Sequence, residues 1–409
     1  MDPKSTLGTA DIKSALQNFL NTKNDIVFDY EVTRGTEKLQ GFLSLIRRAK
    51  VTYVDEDGAK GQVTFIVKMP PVSEFQSLYM EGSNFHQREC DYFNVVAPIL
   101  EKNTRDYPMV KCYLANERGV ILEDLSLSGH EIVSKPLTGQ NYCSLEYPHI
   151  EMIFQALASF HAASAGTDWL KLLPLLNEDG LFEGCGRKMM HARLMNGISF
   201  VNEVLKVEFP EAFEKYGSWL SSGAFYEKII DICRPSKKWQ NYLCHGDLWE
   251  NNVMFKFDED GKPSGLKMID LQLVRYSPVS FDLQFFLYLC TDKPFRDANE
   301  VPLLATYVEF FNRNLPKSEP ELTLKKLLEE YEDFRLFGTL FAATMRPPVF
   351  VEGWVAENDG EMNEEVVSAY INGTPAETLM DHFRVDENFR WAVMLIVEEL
   401  VNELDKVQF

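Results

Sequence analysis

Over the first 125 residues, apolar and polar positions alternate in short runs. FLSLIRRAKVTYV (42–54), GQVTFIVKM (61–69), MVKCYLA (109–115) and GVILED (119–124) read as strands. Turn residues separate them, notably Glu56-Asp57-Gly58 and Asn116-Glu117-Arg118-Gly119. One helix interrupts the series. Within SEFQSLYMEGSNFHQRECDYFNVVAPILEK the stretch from Asn84 to Leu100 carries the better helical period. Past residue 145 the period lengthens. HIEMIFQALASFHAAS puts Ile150, Ile153, Phe154, Leu157 and His161 on one stripe, and segments near 189–208, 279–290, 301–314, 322–344 and 388–406 behave alike. Residues 253–270 break this helical half: VMFKF and LKMID are short strands joined by the turn-rich DEDGKPSG, a hairpin. No repeat or low-complexity stretch occurs. The pattern predicts an α+β chain of two lobes. A small β-rich lobe spans 1–124, an antiparallel sheet plus one helix; a large, mostly helical lobe spans 125–409 and contains the hairpin region 242–270.

At 409 residues, with 45% hydrophobic and 25% charged residues, the chain has material for a sizeable core. The net charge of −21 changes the picture more, because so acidic a surface repels phosphate backbones and anionic lipid. The expectation is therefore no nucleic-acid and no membrane partner, and a monomer is expected. No run of about 18 uncharged apolar residues argues for a membrane-spanning helix, and MDPKSTLGTADIKSAL lacks a signal-peptide pattern. Seven scattered cysteines without a C-x-x-C pair read as reduced thiols packed in the core, consistent with a cytoplasmic location. Asn372-Gly373-Thr374 is a glycosylation sequon by letter and, on the same reading, an idle loop.

Chemistry enters with YLCHGDLWENNVMF (242–255), where His245, Asp247 and Asn252 stand between apolar shoulders. Phosphoryl transfer from a nucleotide needs a carboxylate to orient the acceptor hydroxyl, oxygen ligands for magnesium, and a lysine, fixed by a glutamate, to steer the phosphates. HGDLWENN reproduces the spacing of the kinase pattern H-R-D-L-x-x-x-N with Gly246 in place of arginine. Asp247 then becomes the base and Asn252 a metal ligand. The base is expected to work as an ordinary ionised carboxylate, with no raised pKa. Asp270, closing the second hairpin strand in KMIDLQ, is the other expected metal ligand. Lys68 ends the strand TFIVK, and Glu89 lies on the helix that follows, so these two become the phosphate-steering pair. VILEDL (120–125) resembles the strand-to-hinge segment where an adenine base meets backbone groups, around Glu123 and Leu125.

Singly, each residue has a plainer role. Lys68 could be a snorkelling strand residue, Glu89 a solvated helix face, Asp247 and Asn252 turn residues, and Asp270 a cap. Their order, lobe and separation agree jointly with nucleotide phosphotransfer, which the plain roles do not anticipate. His245 is expected to brace the loop through backbone rather than act as the base, and His161 to be a satisfied core histidine. No zinc spacing and no G-x-S-x-G appears.

LCHGDLWENNVMF, MIDLQLVRYSPVSFDLQFFL, VILEDL, LASFHAAS and FIVKMP together resemble the ecdysteroid kinase-like family, in the choline-kinase and aminoglycoside-phosphotransferase branch of the protein-kinase-like fold. The resemblance runs from about residue 30 to 340, and Trp249 within HGDLWENN marks this branch. It implies a bilobal α+β fold, use of ATP and Mg2+, a cytosolic setting and phosphorylation of a hydroxyl on a small molecule, most plausibly an ecdysteroid or similar lipophilic alcohol. It also implies that Asp282 anchors the catalytic loop from behind. The chain departs from the family in the phosphate loop. Gly35 and Gly41 remain, where glycine lets amides approach phosphate, but Leu39 stands in place of a further glycine. That departure favours an alternative, a weak or idle nucleotide-binding scaffold of the same fold; a choline- or ethanolamine-type kinase is another. Aromatics such as Trp239, Trp249, Tyr276, Phe281, Phe341, Phe350 and Trp354 could line an apolar substrate pocket, although most are expected in the core. Between Asp270 and Asp282 there is no room for an activation loop ending in A-P-E, which argues against a protein substrate.

Overall fold

The alternating N-terminal third forms five strands: β1 (Val27–Arg34), β2 (Leu45–Val54), β3 (Lys60–Met69), β4 (Cys112–Asn116) and β5 (Gly119–Glu123). They pair antiparallel in the order β1-β2-β3-β5-β4. This computed structural model describes residues 7–35, 44–70, 84–133, 145–352 and 372–407. Successive residues of a strand face opposite sides, and both sides are used. Ala49, Val51, Phe65, Val67 and Ile121 pack on the helix Thr9–Leu20 through Ile12, Ala15 and Leu16. Val120 and Leu122 join the main core with Phe85 and Cys90. Lys68, opposite Ile46 and Val120 in the ladders, is thereby turned toward the helix Phe85–Asp91.

Two elements here escape the sequence pattern. Helix Thr9–Leu20 buries only a narrow stripe, and its flanks are polar. Strand β1 is an edge strand whose Val27 and Val32 stay exposed, so burial left little alternation to read. The expected helix after β3 is not continuous either. An α-helical Phe85–Asp91 passes through a π turn, Tyr92–Val96, into Ala97–Asn103. Pro98 has no N–H to donate to the turn before it, which accounts for the local rewinding.

The remainder is helical: Tyr147–Ala163, Gly184–Glu208, Pro210–Ser221, Ala224–Cys233, Ser280–Cys290, Lys293–Asn314, Leu324–Glu352, Ala376–Val385 and Glu387–Leu404 are its longer helices. Helix Ser280–Cys290 is buried nearly all round, and Glu330 of Leu324–Glu352 accepts the Ser280 N–H (3.0 Å) at its first turn. Burial pushes the Glu330 carboxyl up to about 7. Inside this half lie a two-residue β6 (His130–Glu131), β7 (Tyr242–Cys244) and the hairpin of β8 (Val253–Phe257) and β9 (Pro263–Met268). A short β10 (Arg275–Ser277) pairs with β7. Backbone bonds stitch the hairpin to the chain entering β4: Val110 N–H to the Met268 carbonyl (3.0 Å) and Met268 N–H to the Pro108 carbonyl (2.8 Å).

The architecture is thus α+β, an N-terminal antiparallel sheet followed by a larger helical part. After β5 the chain turns through a 3-10 segment, Leu125–Ser128. Among the described residues no helix is long and apolar enough to cross a membrane. Cys90, Cys233, Cys244 and Cys290 are buried thiols and Cys112 a half-buried one.

Candidate active site

Lys68 lies at the end of β3 with its side chain buried, and its Nζ donates to two carboxylates at once: Glu89 Oε1 at 2.8 Å and Asp270 Oδ1 at 2.7 Å. Burial alone would push the lysine pKa down; Asp270 and Glu89 outweigh it, so the ammonium is held above its ordinary range and charged. The bond to Asp270 was not anticipated. Asp270 lies two residues past the end of β9, in a left-handed conformation (φ 69°), and the strand ends earlier than LKMID suggests. Aspartate tolerates that region better than most residues, and such outliers cluster at working sites. Gln272 Nε2 donates to the other oxygen, Asp270 Oδ2 (3.3 Å). Gln272 was missed, its one signal being a polar residue set in the apolar run MIDLQLV.

The loop after β7 is held from beneath. Asp282, in the first turn of helix Ser280–Cys290, accepts the His245 N–H on Oδ2 (2.6 Å) and the Gly246 N–H on Oδ1 (3.0 Å). Burial opposes its charge, but bonding from His161 and the Gly246 amide prevails and keeps the carboxyl below its ordinary range. His161 is fully buried, with Nε2 at 3.1 Å from Asp282 Oδ2 and Nδ1 at 2.8 Å from the Tyr307 hydroxyl. It is the satisfied core histidine expected. Cys244 completes a close buried trio with His161 and Asp282. The nitrogens and oxygens of that trio are engaged in the bonds just named, so it reads as a brace rather than a metal centre.

His245 points its Nε2 at the Ile269 carbonyl (3.0 Å), and its Nδ1 accepts the Asp247 N–H (3.4 Å). That pairing fixes the Nε2–H tautomer. Burial holds the ring below its ordinary pKa, hence neutral. Gly246 adopts φ +84°, and a Cβ there would fall 1.9 Å from the Leu273 carbonyl oxygen, which explains why arginine of the kinase pattern is absent.

Asn252 closes the 3-10 turn Glu250–Asn252. Its Nδ2 donates to the Asp247 carbonyl (2.8 Å) and less closely to Asp247 Oδ2 (3.4 Å), so Oδ1 is the end left for a ligand. Its own carbonyl accepts the Ile269 N–H (3.0 Å), placing Asn252 across the hairpin mouth beside Asp270. Asp247 is half-buried, yet protein surrounds it closely. Burial first, then the charge of Asp270, push its carboxyl up to about 8, against the expectation of an unshifted carboxylate.

Gly35 ends β1 beside Ile46, and a Cβ there would meet Ile46 Cγ2 at 2.6 Å. Gly41 and Leu39 lie outside the described residues, as does Trp354. Glu123 Oε1 accepts the Lys111 N–H (2.8 Å), the Glu123 N–H donates to the Lys111 carbonyl (3.0 Å), and Leu125 is buried. Phe281 and Phe341 stack with Phe337 in the core. The structure therefore brings Lys68, Glu89, Asp270, Asn252 and Asp247 together. Their free oxygens are hard donors of the kind magnesium takes, and the ammonium beside them suits phosphate.

A model of the ecdysteroid kinase-like family matches residues 38–319. The chain is similar to an uncharacterized oxidoreductase, dhs-27, of Caenorhabditis elegans, 23% identical over 329 residues, which are 71% of this chain and 36% of that protein. It thus spans about a third of the length of that curated relative. Among solved structures it is similar to the GDP complex of wild-type aminoglycoside 2'-phosphotransferase-IIIa (TM-score 0.37, 11% identity, 97% and 99% of the two chains). It is also similar to a choline/ethanolamine kinase family protein from Mesorhizobium loti (TM-score 0.35, 11% identity, 95% and 98%).

Proposed function

The chain belongs to the ecdysteroid kinase-like family, and we propose that it is an ATP- and Mg2+-dependent kinase of a small-molecule alcohol. An ecdysteroid or similar lipophilic alcohol is the substrate class the family favours, and the setting we propose is a cytoplasmic monomer. The observation that carries this reading is the pair of hydrogen bonds from the Lys68 ammonium to Glu89 and Asp270, which sets a fixed cation beside the hairpin mouth where Asn252 and Asp247 also sit.

Asp247 would accept the hydroxyl proton as the alcohol oxygen bonds to the γ-phosphorus and the bond to the nucleotide diphosphate breaks. Proton transfer comes late in a loose transition state, and a base with a pKa near the working pH suits it. Asn252 Oδ1 and Asp270 Oδ2 would hold magnesium, which neutralises phosphate charge when bound. Lys68 holds the phosphate tail in register, and Glu89 keeps the ammonium from drifting. Asp282 and His245 keep the loop carbonyls and amides in place before substrate arrives.

Leu39 in the phosphate loop favours a second reading, a nucleotide-binding scaffold with little turnover. The test is ATP consumption over a panel of hydroxylated compounds, ecdysteroids and choline included, with Asp247→Asn as the blank. Phosphorylated product from one class in wild type and none in the variant supports the kinase. Nucleotide binding with no product from any class supports the scaffold.

A further inference from the structure

Arg275 is almost entirely buried, at 4% exposure, one strand away from the loop that carries Asp247. Its Nη1 donates to Asp179 Oδ2 at 2.6 Å, and its Nη2 reaches the Gly246 carbonyl at 3.4 Å. The guanidinium lies over the Phe281 ring, 3.9 Å from its centroid. Gly246 is wedged: a Cβ would meet the Leu273 carbonyl on one side and Arg275 Nε, at 3.1 Å, on the other. Asp179 uses its second oxygen on the N–H groups of Leu181 (2.9 Å) and Phe182 (2.8 Å), so the loop around it is locked too.

The same loop holds the helix of Glu89. Arg88, the neighbouring residue on Phe85–Asp91, is buried and donates through Nη2 to the carbonyls of Leu175 (2.7 Å) and Glu178 (2.6 Å). Gly180 lets it in, since a Cβ there would stand 3.0 Å from Arg88 Nε. One strap, residues 175–182, therefore touches both the helix that presents Glu89 and the arginine that flanks Gly246.

Burying a charged pair is a poor route to stability, because apolar residues of similar volume serve as well or better. What such a pair supplies is a fixed direction, through planar, forked hydrogen bonds. We propose that Asp179 and Arg275 are positioning residues for the Asp247 loop, and that through Arg88 the strap sets the Glu89 helix and the loop as one unit. This rests on the kinase reading for its catalytic meaning, while the mechanical claim stands apart from it.

The test compares wild type with Asp179→Asn, Arg275→Lys and the apolar double variant Asp179→Leu/Arg275→Met. Amide hydrogen exchange of the purified chain is followed at residues 245–252 and 85–91. The expected result is exchange at least about tenfold faster at 245–252 in Asp179→Asn and in the double variant, with the helices at 280–290 and 387–404 unchanged and Arg275→Lys intermediate. Arg88→Met should loosen 85–91 and, through the strap, 245–252 as well. Once an acceptor alcohol is identified, kcat should fall about 10- to 100-fold while KM for nucleotide moves less than about threefold, and Arg275→Lys should recover part of it. Should the double variant fail to fold, Asp179→Asn decides alone. Unchanged exchange at 245–252 in a folded variant overturns the positioning role, whether or not the chain proves to be a kinase. Accelerated exchange with no turnover in wild type leaves the strap standing and removes only the kinase reading.

Discussion

Lys68 Nζ and Asp270 Oδ1 lie 2.7 Å apart although 202 positions separate them in the chain, one from the sheet and one from the hairpin. Each half of the molecule contributes one partner, so the site exists only where the halves meet. Lys68→Met removes the joint cation and leaves Glu89 to take up a proton, a direction in which burial already pushes it. The fold should persist with a lower melting temperature, and turnover should drop by roughly 10²–10³, the scale of a lost electrostatic positioning group. Circular dichroism and steady-state kinetics check both; a fully active Lys68→Met variant would refute the steering role.

Asp247→Asn keeps shape and removes charge. Nucleotide affinity should stay, while turnover falls by about 10²–10⁴, the span for a lost general base. The pH profile adds a sign. A base works deprotonated, and its carboxyl is pushed up to about 8 in the protein without ligands. The rate should therefore climb from pH 6, pass its midpoint near that value and level off about a pH unit above it, with bound magnesium moving the midpoint down. A rate flat from pH 6 to 9 in wild type would count against Asp247 as the base.

Asp270→Ala should abolish the magnesium dependence of nucleotide binding, because on the proposed reading it supplies one of two protein oxygens for the ion. Isothermal titration with and without magnesium reads this directly. If the variant binds nucleotide with the wild-type response to magnesium, Asp270 serves as a cap and nothing more.

Glu330 offers a test of stability alone. Its folded pKa of about 7 exceeds the ordinary 4.5, so the folded state holds its proton more tightly than the unfolded chain. Stability from this group is complete below about pH 4.5, declines as pH rises through 7 and is flat beyond, a loss of order 3 kcal/mol. Glu330→Gln still accepts the Ser280 N–H and has no proton to lose. It should melt like wild type at pH 4.5 and at a higher temperature at pH 8. Equal melting temperatures at both values would show that Glu330 titrates normally.

What could be read from the sequence was what local spacing encodes. HGDLWENN places Asp247 and Asn252 on one loop, and KMID places Asp270 at the end of a hairpin strand, because chain neighbours cannot be far apart. The α+β division was legible from the change in period past residue 145. Lys68 and Glu89 came from order along the chain, and the structure sets them 2.8 Å apart. The Lys68–Asp270 bond, the Arg275–Asp179 pair and the raised carboxyl of Asp247 are products of packing between distant segments, and no window of sequence holds both sides. Helix Thr9–Leu20 was overlooked because its buried stripe is narrow, and the π turn at Tyr92–Val96 because a proline was the one local sign of it.

The backbone seam between Pro108–Val110 and Met268 has a mechanical consequence. Main-chain bonds do not depend on side-chain identity, so this seam can survive extensive sequence drift on either side. It also sits two residues from Asp270. If the sheet rocks against the helical half, the seam is the fulcrum: Asp270 lies close to the axis and barely travels, while β1, at the far edge of the sheet, swings on the longest lever arm.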